Sequence, residues 1–145
     1  MNTAVVCLGA NTTDALPRIG QALVFLQGCA TVNADSGCYP TEPEYEAAAN
    51  PYQNRVLVLA TDIGYEELYS RSKEFERAVR AELPADSAGL VNTDIDIVVW
   101  NGDVKKPLDY ASRYFSLGIS LISHKAEYER SQQCCEEAVH NKSER

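Results

Sequence analysis

Apolar positions along this chain fall into two rhythms, near-continuous runs and three-to-four-residue spacings. Thr3 to Leu8 is almost wholly apolar and short, which predicts a buried strand ended by Gly9-Ala10-Asn11. Leu16, Ile19, Leu23 and Leu26 then recur at helical spacing, with Asp14 placed to cap the helix, Pro17 tolerated in its first turn and Gly28 closing it. Residues 30–39 predict a second strand, weakened by Asn33, Asp35 and Gly37. Residues 40–51, with three prolines and three acidic residues, read as a loop long enough to be functional. Arg55 to Thr61, rich in branched side chains, predicts a third strand. Asp62 opens a helix to about Leu83, whose inner face Tyr65, Leu68, Ser72, Phe75, Val79 and Leu83 trace.

After a second loop, 84–93, the run Ile95-Asp96-Ile97-Val98-Val99-Trp100 predicts a fourth strand. Asn101-Gly102 is a two-residue hairpin signal, so Asp103 to Lys106 should return beside it. Tyr110 to Ile122 is apolar enough for a strand or a helix, and the polar tail, about 124–145, reads as helical. Strand-helix-strand twice over, with extra terminal elements, predicts a single domain over 1–145 of the α+β class. Its expected form is a ferredoxin-like α/β sandwich, a mainly antiparallel sheet with helices on one face. A small doubly wound sheet is the alternative.

Chemistry enters with Asp94-Ile95-Asp96. Strand alternation turns both carboxylates to one face and Ile95, Ile97 and Val99 to the other, with the two acidic Cα atoms roughly 6 to 7 Å apart. Like charges so close raise one pKa unless a cation intervenes, and Mg²⁺, held by one or two carboxylates together with water and phosphate, is the natural one. The plainer alternative is the solvent face of an edge strand.

Composition narrows the field. The chain has 145 residues, 45% of them hydrophobic, which suits one globular core. A net charge of -8 argues against nucleic acid as a partner. No run approaches the ~20 apolar residues of a membrane helix, and the N-terminus carries no signal-like segment, so a cytoplasmic protein without a membrane partner is expected. Five cysteines without a C-x-x-C pair indicate neither a disulfide framework nor a zinc site.

In order along the chain, Gly9-Ala10-Asn11, Tyr39-Pro40-Thr41-Glu42-Pro43, Pro51-Tyr52-Gln53-Asn54, Glu74, Asp94-Ile95-Asp96-Ile97 and Arg113-Tyr114-Phe115 resemble the motifs of the 6-hydroxymethyl-7,8-dihydropterin pyrophosphokinase family of folate biosynthesis. The resemblance covers residues 3 to about 121. It implies an enzyme that moves diphosphate from ATP to 6-hydroxymethyl-7,8-dihydropterin. Asp94 and Asp96 would then be the catalytic pair holding two Mg²⁺ ions. Thr41, Tyr52, Asn54 and Phe115 would form the pterin pocket, with Gly9 and Asn11 beside the substrate. Glu74, Arg77, Arg80 and Arg113 would belong to the nucleotide side.

The chain also departs from that family. Ala78-Val79 stands where G-R is usual, Ala88-Gly89-Leu90-Val91 in place of W-G-P-R, and Pro107-Leu108-Asp109 where a histidine is expected. The missing groups are mostly cations and stacking contacts to ATP, for which Arg77, Arg80, Lys105 and Lys106 are nearby replacements. Two other readings therefore stay open: a catalytically impaired pterin- or nucleotide-binding relative, and an unrelated ferredoxin-like oligomerisation or ligand-sensing domain.

Overall fold

The computed structural model describes residues 1–42 and 50–143, so most of the expected loop over 40–51 lies outside the described residues. The elements in order are β1 (Asn2–Ala10), α1 (Ala15–Gln27), β2 (Thr31–Asp35), β3 (Tyr39–Thr41), β4 (Tyr52–Thr61), α2 (Tyr65–Arg80), β5 (Asp94–Trp100), β6 (Asp103–Val104), α3 (Pro107–Tyr110) and α4 (Arg113–Ser143). The sheet runs β2-β4-β1-β5-β6, with β3 also on β4. Every pairing is antiparallel. This is the expected α+β, ferredoxin-like arrangement with β1 near its centre. No helix among the described residues is long and apolar enough to cross a membrane.

Alternation on β1 divides the molecule into two cores. Ala4, Val6 and Leu8 join Leu57, Leu59, Ile95 and Ile97 on one face, packed by Ala15, Ile19, Ala22 and Leu26 of α1 and Leu68 of α2. Phe25 and Phe75 stack at 4.6 Å and tie the two helices together. Cys7, Val56 and Val98 lie on the opposite face with Tyr39 and Phe115, and Ile119 and Ile122 of α4 pack against them. α1 and α2 both cover the first face, as expected of a sheet with helices on one face. The 110–122 stretch resolves as helix, and its apolar stripe adds cover to the second face. Gly118 permits this approach, because a Cβ there would overlap Tyr39 Oη and Val56 Cγ2.

Several boundaries differ from the sequence expectation for identifiable reasons. The strand expected over 30–39 is divided into β2 and β3 around Gly37, at φ +73°. Asp35 accepts the Gly37 N–H and pairs bidentately with Arg55 at 2.8 and 2.6 Å. The N-cap of α2 is Gly64 rather than Asp62, and the helix ends at Arg80. Asp14 gives α1 no side-chain cap, since its carboxylate accepts from Thr12 Oγ1 and Arg18 Nε. On β5 the pairing jumps from Val5–Val99 to Val6–Ile97, leaving Val98 as the extra residue of a bulge. Val99 therefore turns to the second core instead of following Ile95 and Ile97, and Trp100 enters the first. Asn101 and Gly102, at φ +48° and +82°, make the expected hairpin. β6 stops at Val104 because Lys105 and Lys106 both donate their N–H to the bulged Val98 carbonyl.

Candidate active site

Strand register assembles the site. Gly9 on β1 faces Asn54 on β4 and Asp94 on β5, while one row further in Cys7 faces Val56 and Asp96. Register partners share a face of a sheet, so both aspartates lie with Asn54 on the face covered by α4. Thr41 faces Tyr52 across β3 and β4, and Tyr39 faces Asn54. One end of one sheet face thus carries the acidic pair, an amide and a tyrosine.

The acidic pair is crowded. The Asp94 carboxyl is pushed up to about 8, first by burial, then by the charge of Asp96 and a hydrogen bond with it, and less by Glu76, with Lys73 opposing. Asp96 forms an ion pair with Lys106. Burial, followed by the charges of Asp96, Asp94 and Asp109, raises the Cys7 thiol far above its ordinary range, so it stays protonated and unreactive. Tyr52 is half-buried, and burial and then Asp94 push its phenol up.

Beside the acidic pair, Asn54 is 5% exposed and donates from Nδ2 to Thr41 Oγ1 at 2.5 Å. A Cβ on Gly9 would sit 3.6 Å from Asn54 Oδ1 and 3.8 Å from Tyr52 Cδ1, so the bare glycine backbone lies directly beneath both. A cleft of about 380 Å³ opens next to Thr41, lined also by Pro40, Glu42, Arg113, Tyr114 and Leu117. Phe115 lies under this region as a core residue, 2% exposed, with the half-exposed Tyr110 ring 5.7 Å away.

The remaining sequence-selected residues fall elsewhere. Asn11 is buried, accepts from Val91 N at 2.6 Å and donates to Gly89 O at 3.1 Å, so its amide is occupied in holding the loop that leads to Asp94. Glu74, Arg77 and Arg80 are exposed on α2, and no described hydrogen bond or ion pair joins them to the aspartates. The α2 glutamate that reaches β5 is Glu76, 4% exposed, which accepts the Ile95 N–H at 2.6 Å. Its signal was present in the sequence: Glu76 follows Ser72 by four residues and precedes Val79 by three, a charge placed on an apolar face. Lys106 was singled out in the sequence only as a cation near the missing nucleotide contacts, not as a partner of Asp96, and Tyr110 carried no comparable signal.

Two adjacent carboxylates, one of them holding its proton unusually tightly, suit a hard divalent cation. No group of three or more His, Cys, Asp or Glu among the described residues could hold a metal. Water and substrate phosphate would have to supply the other ligands, the usual situation of Mg²⁺ at a phosphate-transfer site.

The family model for 7,8-dihydro-6-hydroxymethylpterin-pyrophosphokinase (HPPK) matches residues 5–131. No curated protein sequence matches the chain.

Proposed function

The chain belongs to the 7,8-dihydro-6-hydroxymethylpterin-pyrophosphokinase family, and on that premise we propose that it transfers diphosphate from Mg²⁺-ATP to the hydroxymethyl group of 6-hydroxymethyl-7,8-dihydropterin in folate biosynthesis. The observation that carries this reading is the row Asn54–Gly9–Asp94 across three neighbouring strands. It sets an amide suited to a pterin edge beside a carboxylate suited to a metal, with no side chain between them.

In this reading Asn54, oriented by Thr41, offers donor and acceptor to the amide edge of the pterin, and the Tyr52 ring supplies an aromatic wall. Arg113, exposed on the cleft beside Thr41, stands at its rim. Asp94 and Asp96 hold the divalent ions. When bound, those ions neutralise the phosphate chain and align nucleophile with leaving group. The substrate hydroxyl oxygen bonds to the β-phosphorus, the bond from that phosphorus to the α–β bridging oxygen breaks, the hydroxyl proton is released and AMP leaves.

A second reading, a pterin- or nucleotide-binding relative without transferase activity, draws support from the chain's departures from the family pattern, Ala78-Val79 where G-R is usual and Pro107-Leu108-Asp109 where a histidine is expected. One assay separates the two. Protein, Mg²⁺, ATP and the pterin alcohol are incubated and AMP is measured. AMP that disappears in Asp96→Ala supports transfer, whereas pterin binding without AMP rules it out in favour of the binder.

A further inference from the structure

Among the described residues, Lys106 is the cation that forms an ion pair with the aspartate pair, through Asp96. Its neighbour Lys105 is engaged elsewhere, with Nζ 4.8 Å from the Tyr65 ring centre. Lys73 lies at the β5 edge against the Glu76 carboxylate at 3.1 Å. The hairpin, the N–H of Lys106 bonded to Val98 O at 3.3 Å, and Pro107 at the start of α3 fix the Lys106 backbone. Its side chain is 36% exposed and carries its ammonium on a flexible stem of four methylenes, whereas the Asp96 side chain it pairs with is 12% exposed. An ammonium on Asp96 occupies an oxygen that a divalent ion needs and cancels part of the charge that attracts one.

We propose that Lys106 is the resident counter-cation of Asp96 and that it links metal loading to nucleotide arrival, holding Asp96 against a divalent ion until phosphate oxygens draw its ammonium away. This rests on the diphosphotransfer reading for the identity of the phosphate chain. Lysine serves phosphate as a mobile point charge, so a nucleotide carrying several negative charges competes effectively with a single carboxylate. Lys106 would then act twice, opposing a bare ion and afterwards binding the nucleotide. It would supply part of the cationic clamp for which this chain lacks the family's loop arginines.

Opposite effects on two ligands test this. Mn²⁺ is titrated into nucleotide-free protein by electron paramagnetic resonance, and α,β-methylene-ATP into protein saturated with Mg²⁺ by calorimetry, for wild type, Lys106→Met and Lys106→Arg. Expected for Lys106→Met is Mn²⁺ binding at least tenfold tighter and nucleotide binding at least tenfold weaker, with Lys106→Arg close to wild type on both. A lysine that merely stabilises the fold would leave both affinities unchanged or weaken both, and either result overturns the proposal, as does Mn²⁺ binding to neither wild type nor Lys106→Met. AMP formation by wild type is scored separately. Opposite shifts without AMP overturn diphosphate transfer and leave Lys106 its role, while AMP without opposite shifts removes Lys106 alone.

Discussion

Glu76 on α2 accepts the backbone N–H of Ile95 on β5 at 2.6 Å, and Lys73, three residues earlier, donates to the Ile95 carbonyl at 3.5 Å. β6 pairs with Val99 and Trp100, so among the described residues the aspartate-bearing half of β5 has no strand on its outer side. The two side chains take that strand's place at the residue between Asp94 and Asp96. A buried N–H left without a charged acceptor costs about 1.5–3 kcal/mol. Glu76→Ala should lose about that much stability in urea denaturation, and Glu76→Gln, which keeps an acceptor, clearly less. Equal losses in the two variants would show that the bond to Ile95 is not what matters.

Gly118 and Gly20 should respond in opposite directions to the same added methyl. At Gly118 a Cβ would overlap Tyr39 Oη and Val56 Cγ2 and lie 2.9 Å from Val56 Cβ. Overpacking of this kind costs typically 1–3 kcal/mol, and here it would also push α4 off the second core. At Gly20, inside α1, nothing lies within 4 Å. Gly20→Ala should therefore gain about 0.5–1 kcal/mol from helix propensity. Thermal melts of the two variants should bracket wild type, with Gly118→Ala the lower.

What could be read from the sequence followed from periodicity. β1, β4, β5, α1, α2 and the Asn101-Gly102 hairpin all announce themselves by apolar spacing or turn residues, and the order of the elements then gives the sheet. The bulge at Val98 did not, because Val98 and Val99 are equally apolar and only pairing with β1 reveals which one is extra. α4 stayed ambiguous because an apolar stretch such as 110–122 fits either rhythm until Gly118 is seen against Val56. At the site, the resemblance to the family's motifs grouped Asp94, Asp96, Asn54 and Thr41. It could not separate Glu74 from Glu76, two residues apart on one helix, where burial against β5 makes the distinction.

Asp94 should give metal-free protein a pH-dependent weakness. Its carboxyl, raised to about 8 by burial and then by Asp96, keeps a proton that the unfolded chain, with an ordinary value of 3.8, has already released. Between about pH 4 and 8 the native state therefore binds more protons than the unfolded one, so stability falls as pH rises through that window and levels off above it. Asp94→Asn cannot ionise and should escape this loss. Measured by urea denaturation in chelator, its advantage over wild type should be absent near pH 4 and fully developed above pH 8. Millimolar Mg²⁺ supplies the missing counter-charge to wild type and should shrink the gap. An advantage that is the same at both ends of the range would mean that Asp94 ionises normally.

Pterin recognition should depend on Asn54 more than on Thr41, although the two are joined by one 2.5 Å hydrogen bond. Asn54 is held on three sides, by the Gly9 backbone, the Tyr39 pairing and Thr41, so its amide is fixed before ligand arrives. Such preorganisation makes the amide worth its full hydrogen bonds to a heterocycle edge. Asn54→Ala should then weaken pterin binding by tenfold or more, each tenfold being about 1.4 kcal/mol. Thr41→Val keeps the amide and removes only its orienting partner, so a smaller loss is expected. Calorimetry on both variants, with thermal melts to confirm folding, checks the order. A Thr41→Val effect equal to that of Asn54→Ala would mean that the hydroxyl itself meets the ligand, and an unchanged Asn54→Ala affinity would move the pterin site away from this end of the sheet.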